Sequence, residues 1–365
     1  MARTGCMTTI KRVALVTQTF PPKLGGMEAV MASLAKHFAE NGAEVAVFPN
    51  KPAPEEQFYK SYLLPSPKLI RHIFKKLLIS LKANPQDLVI CDSWKSVKAV
   101  PATFKNIVML AHGQEYLNTS KRKFEIETAL IRAKAIVCSS HATMKLVEEF
   151  TPIHRDKSYV VYPTYMLEKP TGIQLKESPV DTLKLLSISR LEKRKGIQNA
   201  MRAISQLKDE GLMFEWDICG TGPAQKELHD LCHELNLEEN IRFPGRVSDK
   251  EKQLLLSQAD LFVMPSYQEG NSLEGFGISY IEAAAFGVPS VGGEAGGANE
   301  AVNAPECGWC CDGASVDEIY KALKDSCFDK EERSKRGSKA LMRFNKEMSS
   351  KIVFNKLFEI CRVIQ

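Results

Sequence analysis

Two carboxylates, Glu274 and Glu282, stand eight residues apart in the stretch Glu274-Gly275-Phe276-Gly277-Ile278-Ser279-Tyr280-Ile281-Glu282. Apolar residues at Ile278, Ile281, Ala284 and Ala285 have helical spacing. Eight residues is a little over two turns, so Glu282 is expected below Glu274 on nearly the same face. Glycines ahead of a helix leave backbone N–H groups where the helix dipole favours an anion. A carboxylate at the mouth and another deeper suits a ligand with phosphate at its middle and hydroxyl-bearing rings at both ends. A nucleotide sugar has that form.

Cations for such a phosphate are found in Ser187-Ile188-Ser189-Arg190-Leu191-Glu192-Lys193-Arg194-Lys195-Gly196. Arg190 leaves an apolar strand and Lys195 precedes a helix expected from Ile197. A guanidinium fork and an ammonium at that spacing can both reach a pyrophosphate. A solvated charge run is the competing reading, and it is assigned to Lys193 and Arg194.

Five further loops follow predicted strands. Pro21-Pro22-Lys23-Leu24-Gly25-Gly26 opens a helix with adjacent glycines, which either approach an anion or simply make a tight turn. His112, in Ala111-His112-Gly113-Gln114-Glu115, is placed to hydrogen-bond a hydroxyl or phosphate, or to cap the local backbone. Gly220-Thr221-Gly222-Pro223 begins like a dinucleotide motif, but Gln225 stands where the third glycine belongs. In Gly245-Arg246-Val247-Ser248-Asp249, Ser248 and Glu251 form a capping box, and Asp249 is the acid that would meet a guanine edge. Gly292-Gly293-Glu294-Ala295-Gly296-Gly297 adds a glycine-rich strand end before another helix.

These loops need strands and helices to hold them. Apolar runs predict strands at Arg12–Thr17, Glu44–Phe48, Leu88–Cys91, Ile107–Leu110 and Ala135–Cys138, interleaved with helices such as Met27–Glu40. Residues 163–182 read as a linker. The alternation then restarts with strands at Lys184–Ser189, Phe214–Cys219, Ile241–Phe243, Leu261–Met264 and Ser290–Gly292. The expected fold class is α/β, with two doubly wound Rossmann-like domains facing across a deep cleft. The expected boundaries are 1–165, 166–345, and a C-terminal helix in 346–365 that packs back across the domain boundary.

A length of 365 residues suits two domains, and 25% charged with 44% hydrophobic residues is ordinary for a globular protein. Met1–Thr9 lacks the apolar core of a secretory signal, and no apolar run approaches a membrane span. The expectation is a cytoplasmic protein. Residues 1–165 carry about 23 Lys and Arg against about 13 Asp and Glu, so they are strongly basic and the rest of the chain is acidic. No nucleic-acid motif accompanies the basic half, which fits anionic lipid headgroups or phosphorylated acceptors better, with peripheral contact to the inner-membrane surface. The segment 68–82 is amphipathic and basic, as a membrane-surface helix would be, but is read first as a covering helix of the core. The ten cysteines are expected to be buried free thiols, and Cys307, Cys310 and Cys311 lack the partners for a zinc site.

In order, PPxxGG-M-E, AHG-x-E, S-R-L-x3-KG, G-T-G-P, F-x-G-R-V, the E-x7-E of LEGFGISYIEAAAFGVP, and G-G-A-x-E span Phe20 to Glu300. This set resembles glycosyltransferase family 4 on a GT-B fold, and within it bacterial mannosyltransferases acting on lipid or lipopolysaccharide-core acceptors. The resemblance implies retaining transfer of a hexose from a nucleoside-diphosphate sugar, such as GDP-mannose, to a glycolipid, lipopolysaccharide or polysaccharide acceptor. It implies no metal or other cofactor, in keeping with the lack of a D-x-D motif. Carried over, Arg190 and Lys195 would neutralise the diphosphate, Glu282 would bind the ribose, and Glu274 the donor sugar. His112 would reach that sugar from the opposite domain. Gly25, Gly26, Gly220, Arg246, Val247, Asp249, Phe276, Gly277 and Ile278 would complete the donor-binding set. A nucleotide-sugar epimerase and a non-catalytic nucleotide-sugar-binding protein are the competing readings.

Overall fold

The computed structural model describes residues 10–23, 25–67, 69–117, 122–150, 156–167 and 182–365. Most of the expected linker lies outside these residues, as does Met1–Thr9. The chain forms two compact units, Met1–Met166 with Ser350–Gln365, and Leu167–Ser349.

Unit 1 runs β1 (Arg12–Val16), α1 (Gly26–Glu40), β2 (Glu44–Phe48), β3 (Lys60–Ser61), α2 (Arg71–Lys82), β4 (Leu88–Cys91), α3 (Trp94–Val97), β5 (Ile107–Ala111), α4 (Lys123–Arg132), β6 (Ala135–Cys138), α5 (His141–Phe150) and β7 (Ser158–Val160). Its strands pair in parallel in the order β3-β2-β1-β4-β5-β6-β7. Central strands such as Leu88-Val89-Ile90-Cys91 are buried along their whole length, because helices cover both faces.

Unit 2 runs β8 (Leu183–Ile188), α6 (Ile197–Asp209), β9 (Phe214–Cys219), α7 (Gln225–Glu234), β10 (Ile241–Gly245), α8 (Asp249–Gln258), β11 (Leu261–Met264), α9 (Ile278–Ala285), β12 (Ser290–Gly293), α10 (Ala298–Val302), β13 (Gly308–Cys311), α11 (Val316–Phe328) and α12 (Lys330–Arg343). Its parallel order is β10-β9-β8-β11-β12-β13. Trp216 is fully buried in this unit's core, and its indole N–H donates to Ser187 Oγ at 3.0 Å.

Both sheets are therefore doubly wound. Strand order reverses between β1 and β4 in unit 1 and between β8 and β11 in unit 2. Ligands of such sheets bind beyond the carboxyl ends of strands at the reversal.

The last helix, α13 (Ser350–Ile364), belongs to unit 1. Phe358 packs against Phe38 of α1 with ring centres 5.5 Å apart and the rings tilted, and Lys134 donates to the Ile364 carbonyl at 2.8 Å.

One local reading needs correction. Helix α9 begins at Ile278, so Glu274 sits in the turn ahead of it, and the same-face helical argument fails. Gly277, with φ of 95°, is a left-handed break that ends the turn. Helix α2 covers the sheet as expected, with Leu78 and Ile79 in the core, although of its residues only these two and Lys75 are buried. The nine described cysteines are free thiols, and Cys310 and Cys311 are accounted for by strand β13.

Candidate functional site

In unit 2, the loop after β8 makes a tight 3-10 turn at Lys193–Lys195 and enters α6 through Gly196. Gly196 has φ of 72°, and a Cβ there would run into the Pro265 carbonyl of the loop after β11. The Tyr267 N–H donates to the Arg194 carbonyl at 2.9 Å, so the two loops of the reversal are stitched together.

That turn sends the Lys195 ammonium inward onto Glu274 Oε2, where Arg194 Nη1 also donates at 3.0 Å. Arg194 Nε holds Glu192 at 2.9 Å, and Arg190 reaches the other oxygen of Glu192 at 3.2 Å. Arg194 is thus no solvated charge: its side chain is 12% exposed, against 71% for Arg190. Within one basic run, the turn decides which cation faces in. Burial alone would push the Glu274 carboxyl up, but Lys195 and Arg194 together outweigh it and hold it below the usual carboxylate range. Three cations against two carboxylates leave the cluster net positive. An ammonium has three donors, so Lys195 can keep Glu274 and still meet a phosphate oxygen.

The neighbouring glycines allow close backbone approach. A Cβ at Gly220 would strike the Ser189 carbonyl, and one at Gly222 the Leu191 carbonyl. The loop after β9 therefore rests on the Arg190 loop. Gly296 is pressed against the Glu274 carbonyl, which also accepts from the Gly297 N–H at 3.0 Å. Those glycines serve packing. The Ser189 hydroxyl, at the end of β8, is buried with no protein partner, which is a rare state for a buried polar group. Phe276, Gly277 and Ile278 lead into α9, whose Ser279 hydroxyl donates to the Ile188 carbonyl at 2.7 Å.

Glu282 is buried on α9 and accepts from Lys252 at 2.7 Å. Lys252 also pairs with Asp249 at 3.1 Å. Glu282 and Asp249 thus share a cation that the sequence reading passed over. Asp249 itself is exposed, at the start of α8, beside Arg246 and Val247 of the preceding turn. The capping box is present, with Ser248 N–H donating to Glu251 at 2.7 Å.

In unit 1, Gly25 lies against the carboxylate of Glu28, which is paired with Lys23 at 2.9 Å. An acid of α1 therefore already lies beside the Gly25-Gly26 turn. His112 follows β5. Its Nε2 is 2.7 Å from the Asp92 carbonyl, and its N–H donates to Glu115 at 2.9 Å. A neutral ring donating from Nε2 keeps Nδ1 as an acceptor. Asp92 directly follows β4 at the reversal, and its carboxylate accepts from Thr17 Oγ1 at 2.8 Å, the Gln18 N–H at 2.6 Å and Ser96 Oγ at 2.5 Å. Lys75, reaching in from α2, donates to the Thr17 carbonyl at 2.9 Å and Asn50 Oδ1 at 2.7 Å. The acid directly after the buried run Leu88–Cys91 was the available signal for Asp92; nothing in the sequence marked Lys75.

Residues 24–169 match Glycosyltransferase Family 4, and residues 169–342 match Glycosyl transferases group 1. The chain is 24% identical to the GDP-mannose-dependent monoacylated alpha-(1-6)-phosphatidylinositol monomannoside mannosyltransferase of Corynebacterium glutamicum, over 97% of this chain and 98% of that protein. It is 34% identical to the putative colanic acid biosynthesis glycosyltransferase WcaL of Escherichia coli K12, over 36% of this chain and only 33% of that protein's length. Sucrose-phosphate synthase from Thermosynechococcus elongatus shares the fold, with a TM-score of 0.78 at 18% identity, over 97% of this chain and 99% of that one.

Proposed function

Because the chain belongs to the family 4 glycosyltransferases of the GT-B fold, we propose that it moves a hexose, with retention, from a nucleoside-diphosphate sugar to a glycolipid, lipopolysaccharide or polysaccharide acceptor. Mannose from GDP-mannose is the donor we favour, since a relative aligned over almost the whole chain is named as GDP-mannose-dependent. The observation that carries the reading is the net-positive cluster of Arg190, Arg194, Lys195, Glu192 and Glu274 at the strand reversal of unit 2.

In this reading Lys195, with Arg190, stabilises charge as it develops on the departing diphosphate. Glu274, kept anionic by Arg194 and Lys195, accepts from the donor sugar's hydroxyls beside the N–H groups of Phe276 and Gly277. Glu282, oriented by Lys252, accepts from the ribose. In unit 1, His112 offers Nδ1 to a sugar hydroxyl, with its ring fixed by the Asp92 carbonyl. The cations stand where a metal would otherwise act, so turnover should survive chelation by EDTA.

A thermal-shift panel of UDP, GDP, ADP and their sugars tests the donor class, because binding to the folded state raises apparent stability. GDP and GDP-mannose should give the largest shifts. A clear preference for UDP or ADP sugars would replace the mannose reading, and no shift with any of them would overturn the donor assignment. NMR of the sugar products, with and without acceptor, separates transfer from epimerisation. Isomerised donor in the absence of acceptor would reject transfer.

A further inference from the structure

Within unit 1, helices α1 and α13 close on each other at one end and part at the other. Towards the C-terminus of α1, His37 and Phe38 meet Phe354 and Phe358, with ring centres 5.3 and 5.5 Å apart. Nearer its N-terminus, Val30 and Leu34 look across at Val353 and Leu357, and a pocket opens between the helices. Leu110 of β5 and Val137 of β6 line it from the sheet. Its unfilled space is about 380 Å³, part of it open to solvent. Protein interiors leave few voids larger than a water molecule, and apolar walls give water nothing to hydrogen-bond. The pocket suits an apolar ligand.

Two polar residues give that ligand a direction. Thr164 lines the pocket, and its buried hydroxyl has no hydrogen-bond partner among the described residues. A buried hydroxyl left unpaired is costly, so the position calls for a partner that the protein does not supply. The segment after β7 that carries Thr164 is tied to α1, because the Met166 N–H donates to Ser33 Oγ at 3.1 Å. His112, assigned above to a sugar hydroxyl, lines the same pocket.

We propose that this pocket takes an aliphatic chain of the acceptor, with an oxygen at the head of the chain on Thr164 Oγ1. The acceptor is then an amphiphile whose chain starts close to the hydroxyl that receives the sugar, and a free polysaccharide has nothing to place there. The assignment to the acceptor rests on the transfer reading above, whereas chain binding is measured without donor.

Isothermal titration calorimetry of the full chain with straight-chain butanol, hexanol and octanol tests the pocket by itself. Binding should saturate at one site, with affinity rising about fourfold per methylene. Thr164→Val removes the hydroxyl and keeps the shape. It should weaken octanol about fivefold and raise the melting temperature of the free protein, since the unpaired group is gone. Val353→Phe fills the opening and should abolish octanol binding, with circular dichroism and the nucleoside-diphosphate thermal shift unchanged. If that variant fails to fold, Thr164→Val decides. Affinity independent of chain length overturns the proposal, as does octanol binding unchanged in Thr164→Val. For the acceptor, transfer of labelled sugar into a membrane-lipid extract should show a raised KM and an unchanged kcat when octanol is added. Saturable octanol binding that leaves transfer untouched also overturns the proposal. No transfer at all, with octanol binding intact and lost in the variants, would count against the transfer reading and leave the pocket standing.

Discussion

At the scale of single residues, the pairing around Glu274 separates three cations that stand within six positions. Arg194 grips Glu274 and Glu192, so Arg194→Ala removes one of the two charges that keep Glu274 ionised. The Glu274 carboxyl should then rise. In kcat/KM measured against pH, the acid limb of Arg194→Ala should lie at higher pH than that of the wild type, with a loss near neutrality of about tenfold or more from a charge-assisted contact. Arg194→Lys should restore part of the shift, which a purely structural defect would not do. An acid limb that does not move would remove Glu274 from the pH profile. Lys195→Ala should cut kcat at least about tenfold. Which cation of Lys193-Arg194-Lys195 turns inward was not legible in the sequence, because a 3-10 turn and the left-handed Gly196 decide it, and both depend on Pro265 seventy residues away.

At the scale of elements, strands were the easiest to read. Strands buried on both faces are unbroken apolar runs, and Leu88–Cys91, Phe214–Cys219 and Leu261–Met264 appear at the expected bounds. The loops behind the predicted strands followed directly, which is how Glu274, Lys195 and His112 were picked as candidates. Helix α2 was legible as a covering helix but its rotation was not, because its periodicity admits two and the choice lies with acceptors at Thr17 and Asn50 that no local pattern reveals. Its buried lysine gives a pH test. Burial pushes the Lys75 ammonium down to about 8, against the opposing pull of Asp92. Between that value and the ordinary 10.5 the unfolded chain binds the extra proton, so stability should rise as pH climbs through this window. Lys75→Met keeps the stem and removes the titration. The difference in melting temperature between wild type and Lys75→Met should therefore shift in favour of wild type from pH 8 upward. A difference independent of pH would mean that Lys75 titrates normally.

At the scale of the whole molecule, each unit has its own core and its own strand reversal, and the proposed donor contacts of Arg190, Lys195, Glu274 and Glu282 all belong to Leu167–Ser349. The tryptophans divide the same way, with Trp94 in unit 1 and Trp216 and Trp309 in unit 2. Fluorescence melts of Trp94→Phe report unit 2, and those of Trp216→Phe/Trp309→Phe report unit 1. A nucleoside diphosphate should raise the unit 2 transition by more than the unit 1 transition. Equal shifts would show that the two cores melt as one.

The return of α13 to unit 1 also orders the protein's synthesis. Phe38 of α1 emerges early, but the Phe358 ring that packs against it leaves the ribosome only after all of unit 2. The usual sequence, in which the leading domain closes first, is therefore reversed here. Unit 2 can complete its sheet on the ribosome, while unit 1 waits with an apolar face uncovered. A nascent chain stalled before Ser350 would display that face, and so would offer chaperones a binding surface that the finished enzyme does not have.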